Sequence, residues 1–380
     1  MPLRSLVSFV RLTVRSAGRF PPLVWGFGAF ALVTIYVVGT GSSPGLYDYN
    51  EFLLALVGAL ALQVLMGTAG QVSVGNGTFL LVGGFASVWL TNLGAPFPLD
   101  VIGAALICGA LGGVVALPAI RLSGMQLALA TLAAFFIAGF FADLYQSDAN
   151  SGNGFVITPL FNSFGLVRGQ QYWVWMLFGL AVVVTAGASR LMRGDSGRAF
   201  RMIRDHDIAA SALGYAVTRY KLIIFVLSST VIGLQGALTL HLTGTISTDT
   251  YTLIGTIIYV EMILIGGLDS IAGAYIGAAV LTAMPILIPD ITMRIAGGSD
   301  ISAQAPQIAQ IISGALVIVM IVSSSRGIVG WLESLRRTSL YQSTARKLVM
   351  PSHQVVPEMK PAALTDQEPR RGATPQGGRR

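Results

Sequence analysis

Charged residues are scarce in this sequence. Only 11% of the 380 residues are charged, 53% are hydrophobic, and the mean hydropathy is +0.71. Soluble globular domains carry about 25% charged residues, so this composition excludes that class and indicates a membrane protein. The relevant unit is then the apolar stretch of about 20 residues, and we expect one all-α bundle of transmembrane helices.

Cysteine and histidine are also nearly absent. Cys108 is the single cysteine, which excludes a disulfide or a thiolate metal site within one chain. His206, His241 and His353 lie far apart in the sequence, with no spacing typical of a metal site. No group of acids, histidines and cysteines falls near one span end, so the sequence gives no support for a catalytic site of a membrane enzyme.

Lysine is equally rare, and its positions exclude another class of site. Lys221, Lys347 and Lys360 are the only lysines, and none follows a glycine. The phosphate-binding loop of ATPases needs a Gly-Lys-Ser/Thr sequence. The chain therefore lacks an ATP-hydrolysing site of this type, and we expect it to bind no cofactor itself.

Stretches free of charge predict the transmembrane spans. One stretch is long enough for two helices joined near Gly67 to Gly70, so we expect ten spans in total. The segment 148–168 is excluded, because its Asn, Gly and Pro residues are typical of a loop. The stretches run between residues 19 and 48, 51 and 100, 100 and 121, 121 and 143, 168 and 190, 221 and 249, 249 and 269, 269 and 290, and 300 and 326.

The distribution of basic residues predicts the orientation. Basic residues resist translocation, and the N-terminus carries four arginines without an acid. With ten spans and both termini cytoplasmic, all 24 basic residues except Arg168 and Arg294 lie inside. The net charge of +7 is then a topology signal and an attraction to anionic lipid, not a nucleic-acid interface.

Three regions follow from this reading. We expect a basic cytoplasmic N-terminus at 1–21, a transmembrane domain at 22–332 with a cytoplasmic loop at 190–221, and a largely disordered cytoplasmic tail at 333–380. The first apolar run lacks a convincing signal-peptide cleavage site, so we interpret it as a retained helix.

The third span, expected to run from Gly67 to Trp89, is unusually polar and rich in glycine. A glycine in a helix interior costs up to ~1 kcal/mol relative to alanine, which predicts a broken helix. In a membrane, broken helices occur where protein or a water-filled path satisfies the backbone, so we assign four side chains to such a path. Close helix packing is the alternative explanation of the glycines. The four are Gln71, Ser73, Asn76 and Thr78.

Two features of the later spans allow both a structural and a functional interpretation. Gly273 and Gly277 form a Gly-x-x-x-Gly pair, for which close helix packing is the favoured reading. Glu261 is the single acid within a span, and such a residue normally faces the bundle interior, a cavity or a partner. It could bind a cation, carry a proton or gate a path, or it could be protonated and bonded to the backbone.

The cytoplasmic loop contains RDHDIAASALG, Arg204 to Gly214. Acids at the start, alanines and leucine in the middle and glycine at the end predict a short helix. An interfacial helix lying on lipid is the alternative, but the apolar face formed by Ile208 and Leu213 is small for that purpose.

The segment Asp207 to Leu222 resembles the coupling segment of ABC-importer permeases, in which Ala-Ala-x-x-x-Gly forms a short helix that docks into an ATPase subunit. The chain as a whole resembles the LivM-type permeases of branched-chain amino acid ABC transporters over roughly residues 22 to 332. Four further stretches match in order: GQVSVGNGTF from Gly70, RLSGMQLALATLA from Arg121, the loop from Asn150 to Gly154 in part, and ILIGGLDSIAGAYIGA from Ile263.

The resemblance implies a permease subunit of an importer in a bacterial cytoplasmic membrane. Its partners would be ATPase subunits that hold ATP with magnesium, a second permease chain (LivH-like, or a second copy) and an extracytoplasmic solute-binding protein. It places ATPase coupling on Asp207, Ile208, Ala209, Ala210, Leu213 and Gly214. We assign Gln126, Thr131 and Glu261 to the path as well, which gives seven expected path residues.

The sequence departs from the family at three places, one of which is the external loop from Asn150 to Gly154, where the family has a tighter Thr-Gly-Gly version. The family usually has histidine at the position of Asn76 and two acids at the positions of Asp207 and Ser211. Related permeases for urea, sugars and other small solutes share the scaffold, so these solutes remain alternatives to an amino acid. A secondary transporter coupled to ions through Glu261 is the alternative from another class.

Overall fold

The computed structural model of the chain describes residues 22–119, 124–150, 152–161, 164–268, 270–296, 307–308, 311–312, 314–315, 318–319 and 327–330. The expected terminal regions 1–21 and 333–380 lie outside these residues, and so does most of the tenth expected span.

The described chain is all-α, as expected, apart from one minimal strand pair. The helices are α1 (Pro22–Thr40), α2 (Ser43–Leu62), a π-helical turn (Gln63–Thr68), α3 (Asn76–Asn92), α4 (Leu99–Ala119), α5 (Met125–Asn150), α6 (Leu166–Arg193), α7 (Asp195–Asp205), α8 (Asp207–Ala212), α9 (Val217–Thr243), a 3-10 turn (Thr248–Thr250), α10 (Leu253–Gly266) and α11 (Ile271–Ala296). Strands β1 (Phe155–Val156) and β2 (Thr245–Ile246) pair antiparallel, with Phe155 opposite Ile246.

Seven helices in the described part are long and apolar enough to cross a membrane. They correspond to α2 with its π turn, α4, α5, α6, α9, α10 with the preceding 3-10 turn, and α11. The expected first and third spans correspond only in part to α1, whose apolar part Gly28–Thr40 is shorter, and to α3, which has 17 residues and begins after the expected start. The segment excluded as a span, 148–168, contains β1 and loop residues between α5 and α6.

Helix α9 lies at the centre of the bundle, packed between α3 and α4. The contacts depend on glycine: a Cβ at Gly83 of α3 or at Gly236 of α9 would overlap the backbone of the facing helix. A Cβ at Gly233 would likewise overlap the side chain of Cys108 on α4. Small residues let these backbones approach closely, which is the packing solution available to helices in lipid.

The outer face of α5 is apolar and exposed. Phe136, Ile137, Phe140 and Phe141 each leave more than half of their surface uncovered. Such a surface is unfavourable in water but matches the acyl chains of a bilayer.

The α10–α11 hairpin is held together by the two glycines identified in the sequence. A Cβ at Gly273 would approach the carbonyl oxygen of Gly267 to 2.5 Å, and one at Gly277 would overlap the carbonyl oxygen of Met262. Close packing is therefore the role of this Gly-x-x-x-Gly pair.

Helix α7 was not expected from the sequence. It places Ala199, Phe200 and Ile203 on its buried side, and the ring of Phe200 packs edge-on against Tyr220 of α9 with ring centroids 5.5 Å apart. The spacing of these apolar residues is helical, so the signal was present in the sequence.

Candidate functional site

The short helix expected after Arg204 is present as α8. Its first residue, Asp207, follows His206 in an extended conformation, and Leu213 and Gly214 end it. The amide of Gly214 donates to the carbonyl of Ser211 at 3.0 Å, and the φ angle of Gly214 is +87°. Glycine adopts this left-handed conformation at helix ends more easily than other residues do. Gly214 alone is therefore enough to predict the end of this helix from the sequence.

Helix α8 divides the six expected coupling residues into an exposed group and one buried anchor. Ile208 and Leu213 expose 86% and 67% of their surfaces. Asp207, Ala209 and Gly214 are also exposed, whereas Ala210 is fully buried. Two large apolar side chains are thus presented away from the protein, while a small residue faces it.

Two charged residues attach α8 to the rest of the chain. The ammonium group of Lys221 in α9 pairs with the carboxylate of Asp207. Arg204, at the end of α7, donates through Nη1 to the carbonyl oxygen of Gly67 at 2.5 Å. The first residue of α8 is therefore tied to α9, and the end of α7 just before α8 is tied to the π turn.

The expected break lies between α2 and α3, and it differs from the prediction in its extent. The sequence placed the start of the third span at Gly67, but Gly67 belongs to the π turn after α2 and α3 begins at Asn76. Gly70 has a φ angle of +68°, which α-helical geometry does not allow. We call the irregular segment Gly70–Gly75 the break.

Neighbouring side chains satisfy the backbone and side chains of the break. The amide of Val74 donates to Oγ1 of Thr131 at 3.1 Å, and Nε2 of Gln71 donates to the carbonyl of Lys221 at 3.0 Å. A Cβ at Gly75 would lie 2.5 Å from the carbonyl oxygen of Thr131. Protein groups thus stabilise a broken helix inside the bundle.

Five of the seven expected path residues are buried at or near the break, and two lie elsewhere. Gln126 is exposed at the start of α5, and Glu261 is half-buried on α10. Gly77 joins the elements, because a Cβ there would overlap Thr256 of α10 and approach Phe135 of α5 to 2.9 Å. The five buried residues are Gln71, Ser73, Asn76, Thr78 and Thr131.

Two of these side chains are buried without satisfied polar groups. Asn76 is 1% exposed, and neither its amide nitrogen nor its oxygen has a hydrogen-bond partner among the residues that the structure describes. The hydroxyl of Thr78 is in the same condition. Buried polar groups are nearly always bonded, so these atoms are candidates for bonding water or a solute.

The structure contains one polar cluster that the sequence reading excluded. Oδ2 of Asp100 accepts hydrogen bonds from Nε2 of His241 at 2.5 Å and Oγ of Ser87 at 2.8 Å. All three residues are buried, and they lie at ends of α4, α9 and α3. The sequence does not reveal this pair, because helix packing joins two residues that are 141 positions apart.

This cluster does not form a metal site. Within the described ranges, no three histidine, cysteine, aspartate or glutamate side chains group closely enough to hold a metal ion. The ring of Phe97 packs against His241 at a centroid distance of 5.4 Å. The cluster is thus enclosed by an aromatic side chain and by three helices.

Relatives of the chain are membrane permease components. The high-affinity branched-chain amino acid transport system permease proteins LivM of Salmonella typhimurium strain LT2 and of Escherichia coli strain K12 are each 26% identical to it over 264 residues. These alignments cover 63% of this chain and 62% of each relative, so the chain spans less than two thirds of the length of these curated relatives. No solved structure matches the chain.

The family model for the permease component of branched-chain amino acid transport systems matches residues 49–321. This match includes the break, α8 and the α10–α11 hairpin. Because it extends over well more than half of the sequence, the chain belongs to this family of multi-pass transport subunits.

Proposed function

We propose that this chain is the permease subunit of an ABC importer that carries branched-chain amino acids or a similar small solute. Separate ATPase subunits, with ATP and magnesium, drive the transport. The observation that carries the proposal is α8, a short helix that is anchored to the bundle and presents two large apolar side chains to the outside.

Helix α8 has the properties of a protein-docking element. Ile208 and Leu213 are too few to hold a helix on a lipid surface, but they suffice to fill a cleft in another protein. The buried Ala210 and the Asp207–Lys221 ion pair fix the direction in which they point. A rigid protrusion of this kind can receive a push from an ATPase subunit.

The break and the start of α3 provide the translocation path in this proposal. Asn76 and Thr78 offer unsatisfied donors and acceptors that a neutral or zwitterionic solute could bond during passage. Gln71, Ser73 and Thr131 border the same region, and Gln126 and Glu261 are the remaining candidates for other parts of the path.

The assembly follows from the same proposal. The chain lies in the cytoplasmic membrane of a bacterium with ten spans and both termini inside. A second permease subunit, LivH-like or a second copy, completes the pore, and an extracytoplasmic solute-binding protein delivers the solute. Because α8 lies in the cytoplasmic loop 190–221 in this orientation, it is accessible to ATPase subunits.

Replacing Ile208 tests the docking role, because 86% of its surface is exposed and folding should tolerate a change there. We expect Ile208→Asp to leave the chain in the membrane and to lower L-leucine uptake and co-purification of ATPase activity by about tenfold or more. Val156→Asp is the matched control, since Val156 is also apolar and 79% exposed but lies on β1.

Each other result has a defined meaning. Normal leucine uptake by Ile208→Asp, with ATPase still co-purifying, contradicts the docking role. If the wild-type protein takes up urea or a sugar and not leucine, the importer function stands but the proposed amino-acid substrate is wrong. Uptake that persists without ATP and stops with a protonophore and in Glu261→Gln supports ion-coupled transport instead.

A further inference from the structure

Arg204 connects the docking helix to the break. It is the penultimate residue of α7, three positions before α8. Its Nη1 donates to the carbonyl oxygen of Gly67 at 2.5 Å, and its aliphatic stem occupies the space next to Gly70, where a Cβ would overlap it. The guanidinium group thus bonds the π turn that follows α2, while the stem packs on the first residue of the break.

Lys221 forms a second connection. Its ammonium group pairs with Asp207, the first residue of α8, and its main-chain carbonyl accepts a hydrogen bond from Nε2 of Gln71 in the break. The side chain of Lys221 is only 15% exposed. One residue, which follows α8 in the sequence where Arg204 precedes it, therefore contacts both the docking helix and the break.

The contacts that the charged groups of Arg204 and Lys221 make are strong, whereas the break that these residues adjoin is easily deformed. Hydrogen bonds and ion pairs with charged groups are stronger than neutral ones, whereas the break is not helical and begins and ends with glycine, so its backbone bends more easily than that of a helix. A displacement of α8 is therefore passed to the break more readily than to the packed helices around it. The break leads directly into Asn76, the first residue of α3.

We propose that Arg204 and Lys221 are positioning residues that transmit the movement of α8 to the break, so that displacement of the docking helix rearranges the start of α3. This inference rests on the proposed importer function and names the residues of this chain that connect its ATPase contact to its path. Coupling between sites requires such a contiguous network together with an element that has two arrangements. In this proposal the break is that element.

Transport per ATP hydrolysed is the quantity that separates transmission from a merely structural role. The complete transporter, purified through a tag on this chain, is reconstituted in proteoliposomes and assayed for L-leucine uptake and ATP hydrolysis. We expect Arg204→Ala to assemble and hydrolyse ATP within about twofold of wild type. Lys221→Met also loses the ion pair that orients α8, so it should recover less ATPase activity. Both variants should transport about tenfold less leucine per ATP hydrolysed, the scale of a typical coupling.

A graded series at Arg204 identifies the group responsible. Arg204→Lys keeps a charge and a stem and should retain most of the transport per ATP, Arg204→Met keeps only the stem and should retain less, and Arg204→Ala should retain least. Arg198→Ala is the matched control on the same helix, because the Arg198 side chain is 73% exposed and pairs with the exposed Asp195. It should match wild type.

A second measurement applies if a variant assembles poorly. Val72 lies in the break and is 37% exposed, so Val72→Cys in a Cys108→Ser background reports the accessibility of the break to a maleimide. We expect ATP with magnesium to change the labelling rate about threefold or more in this background and in Arg198→Ala, and not in Arg204→Ala.

The outcomes separate this inference from the proposed function. An unchanged leucine-to-ATP ratio in Arg204→Ala, or the same ATP-dependent labelling change as in Arg198→Ala, overturns the transmission role. A wild-type chain that brings down no ATPase activity and takes up no leucine overturns the importer function itself.

Discussion

Asp100 and His241 are two of the few ionisable residues inside the bundle, and they lie next to each other. Both side chains are buried, and Oδ2 of Asp100 accepts from the ring of His241 and from the hydroxyl of Ser87. An ionised carboxylate in a membrane domain is costly unless it is paired and bonded. The cluster therefore joins α3, α4 and α9 through a contact that cannot be removed from one side without leaving a buried polar group behind.

Removing one partner of this pair should destabilise the protein strongly. We expect Asp100→Ala and His241→Ala each to lower the free energy of unfolding by about 3–5 kcal/mol, because each leaves the other group unpaired. The double variant should cost less than the sum of the two. Thermal unfolding in detergent measures all three, with the exposed Asp195→Ala as the control expected to match wild type. Strictly additive losses would show that the two residues act independently.

At the residue scale, local signals were readable from the sequence and tertiary partners were not. The Asp207 to Gly214 pattern specifies a helix start, a helix body and a left-handed end, and the structure has all three. Thr131 is a predicted path residue, and its hydroxyl accepts a hydrogen bond from the amide of Val74 in the structure. Nothing in the neighbourhood of Thr131 in the sequence reveals that partner, since the contact depends on how α5 lies against the break.

At the element scale, uncharged stretches bounded the helices but did not fix their ends. The third span was expected from Gly67, and α3 begins at Asn76 because Gly70 adopts a left-handed conformation. Composition indicated a weak helix but not which of its residues would be non-helical. That choice is made by Arg204, Lys221 and Thr131, whose contacts with the break come from distant parts of the chain.

We expect a glycine-to-alanine change to have opposite effects on stability at a packed and at an open helix position. A Cβ at Gly277 of α11 would overlap the backbone of Met262 in α10, whereas a Cβ at Gly179 of α6 would meet nothing within 4 Å. Gly277→Ala should therefore lower the free energy of unfolding by about 1–3 kcal/mol through overpacking. Gly179→Ala should be neutral or raise it by up to about 1 kcal/mol, because alanine favours the helix.

Melting temperatures of the two purified variants in the same detergent test the glycine prediction. The comparison is matched, since both changes add one methyl group to a glycine within a membrane-spanning helix. A Gly277→Ala protein as stable as Gly179→Ala would mean that the α10–α11 hairpin separates at little cost. The hairpin would then be a mobile part of the bundle and not a rigid one.

At the scale of the whole molecule, the contacts between loops agree with the expected alternation of spans. Gln63, after α2, donates to the carbonyl of Gly267 between α10 and α11 at 3.2 Å, and both places were expected on the cytoplasmic side. At the opposite face, Asn50 at the start of α2 donates to Oε1 of Gln170 in α6 at 2.7 Å. The basic-residue rule and the helix packing are independent, and they group the same loops together.

This grouping predicts which side of the membrane each loop faces. In a Cys108→Ser background, a membrane-impermeant maleimide should label Ser147→Cys at the end of α5 in intact cells. It should label Ser196→Cys in α7 only after the cells are permeabilised, because 190–221 is the basic loop that resists translocation. Both serines are exposed in the structure, so a difference in labelling reports the side of the membrane and not the burial of the residue.

A fluorescent protein fused after Arg380 should fold and fluoresce, since ten spans return the chain to the cytoplasm. If Ser196→Cys is labelled in intact cells, the true orientation is the reverse of the expected one, and α8 lies out of reach of any ATPase. If the cysteines label as expected but the C-terminal fusion does not fluoresce, only the expected number of spans after α11 is wrong.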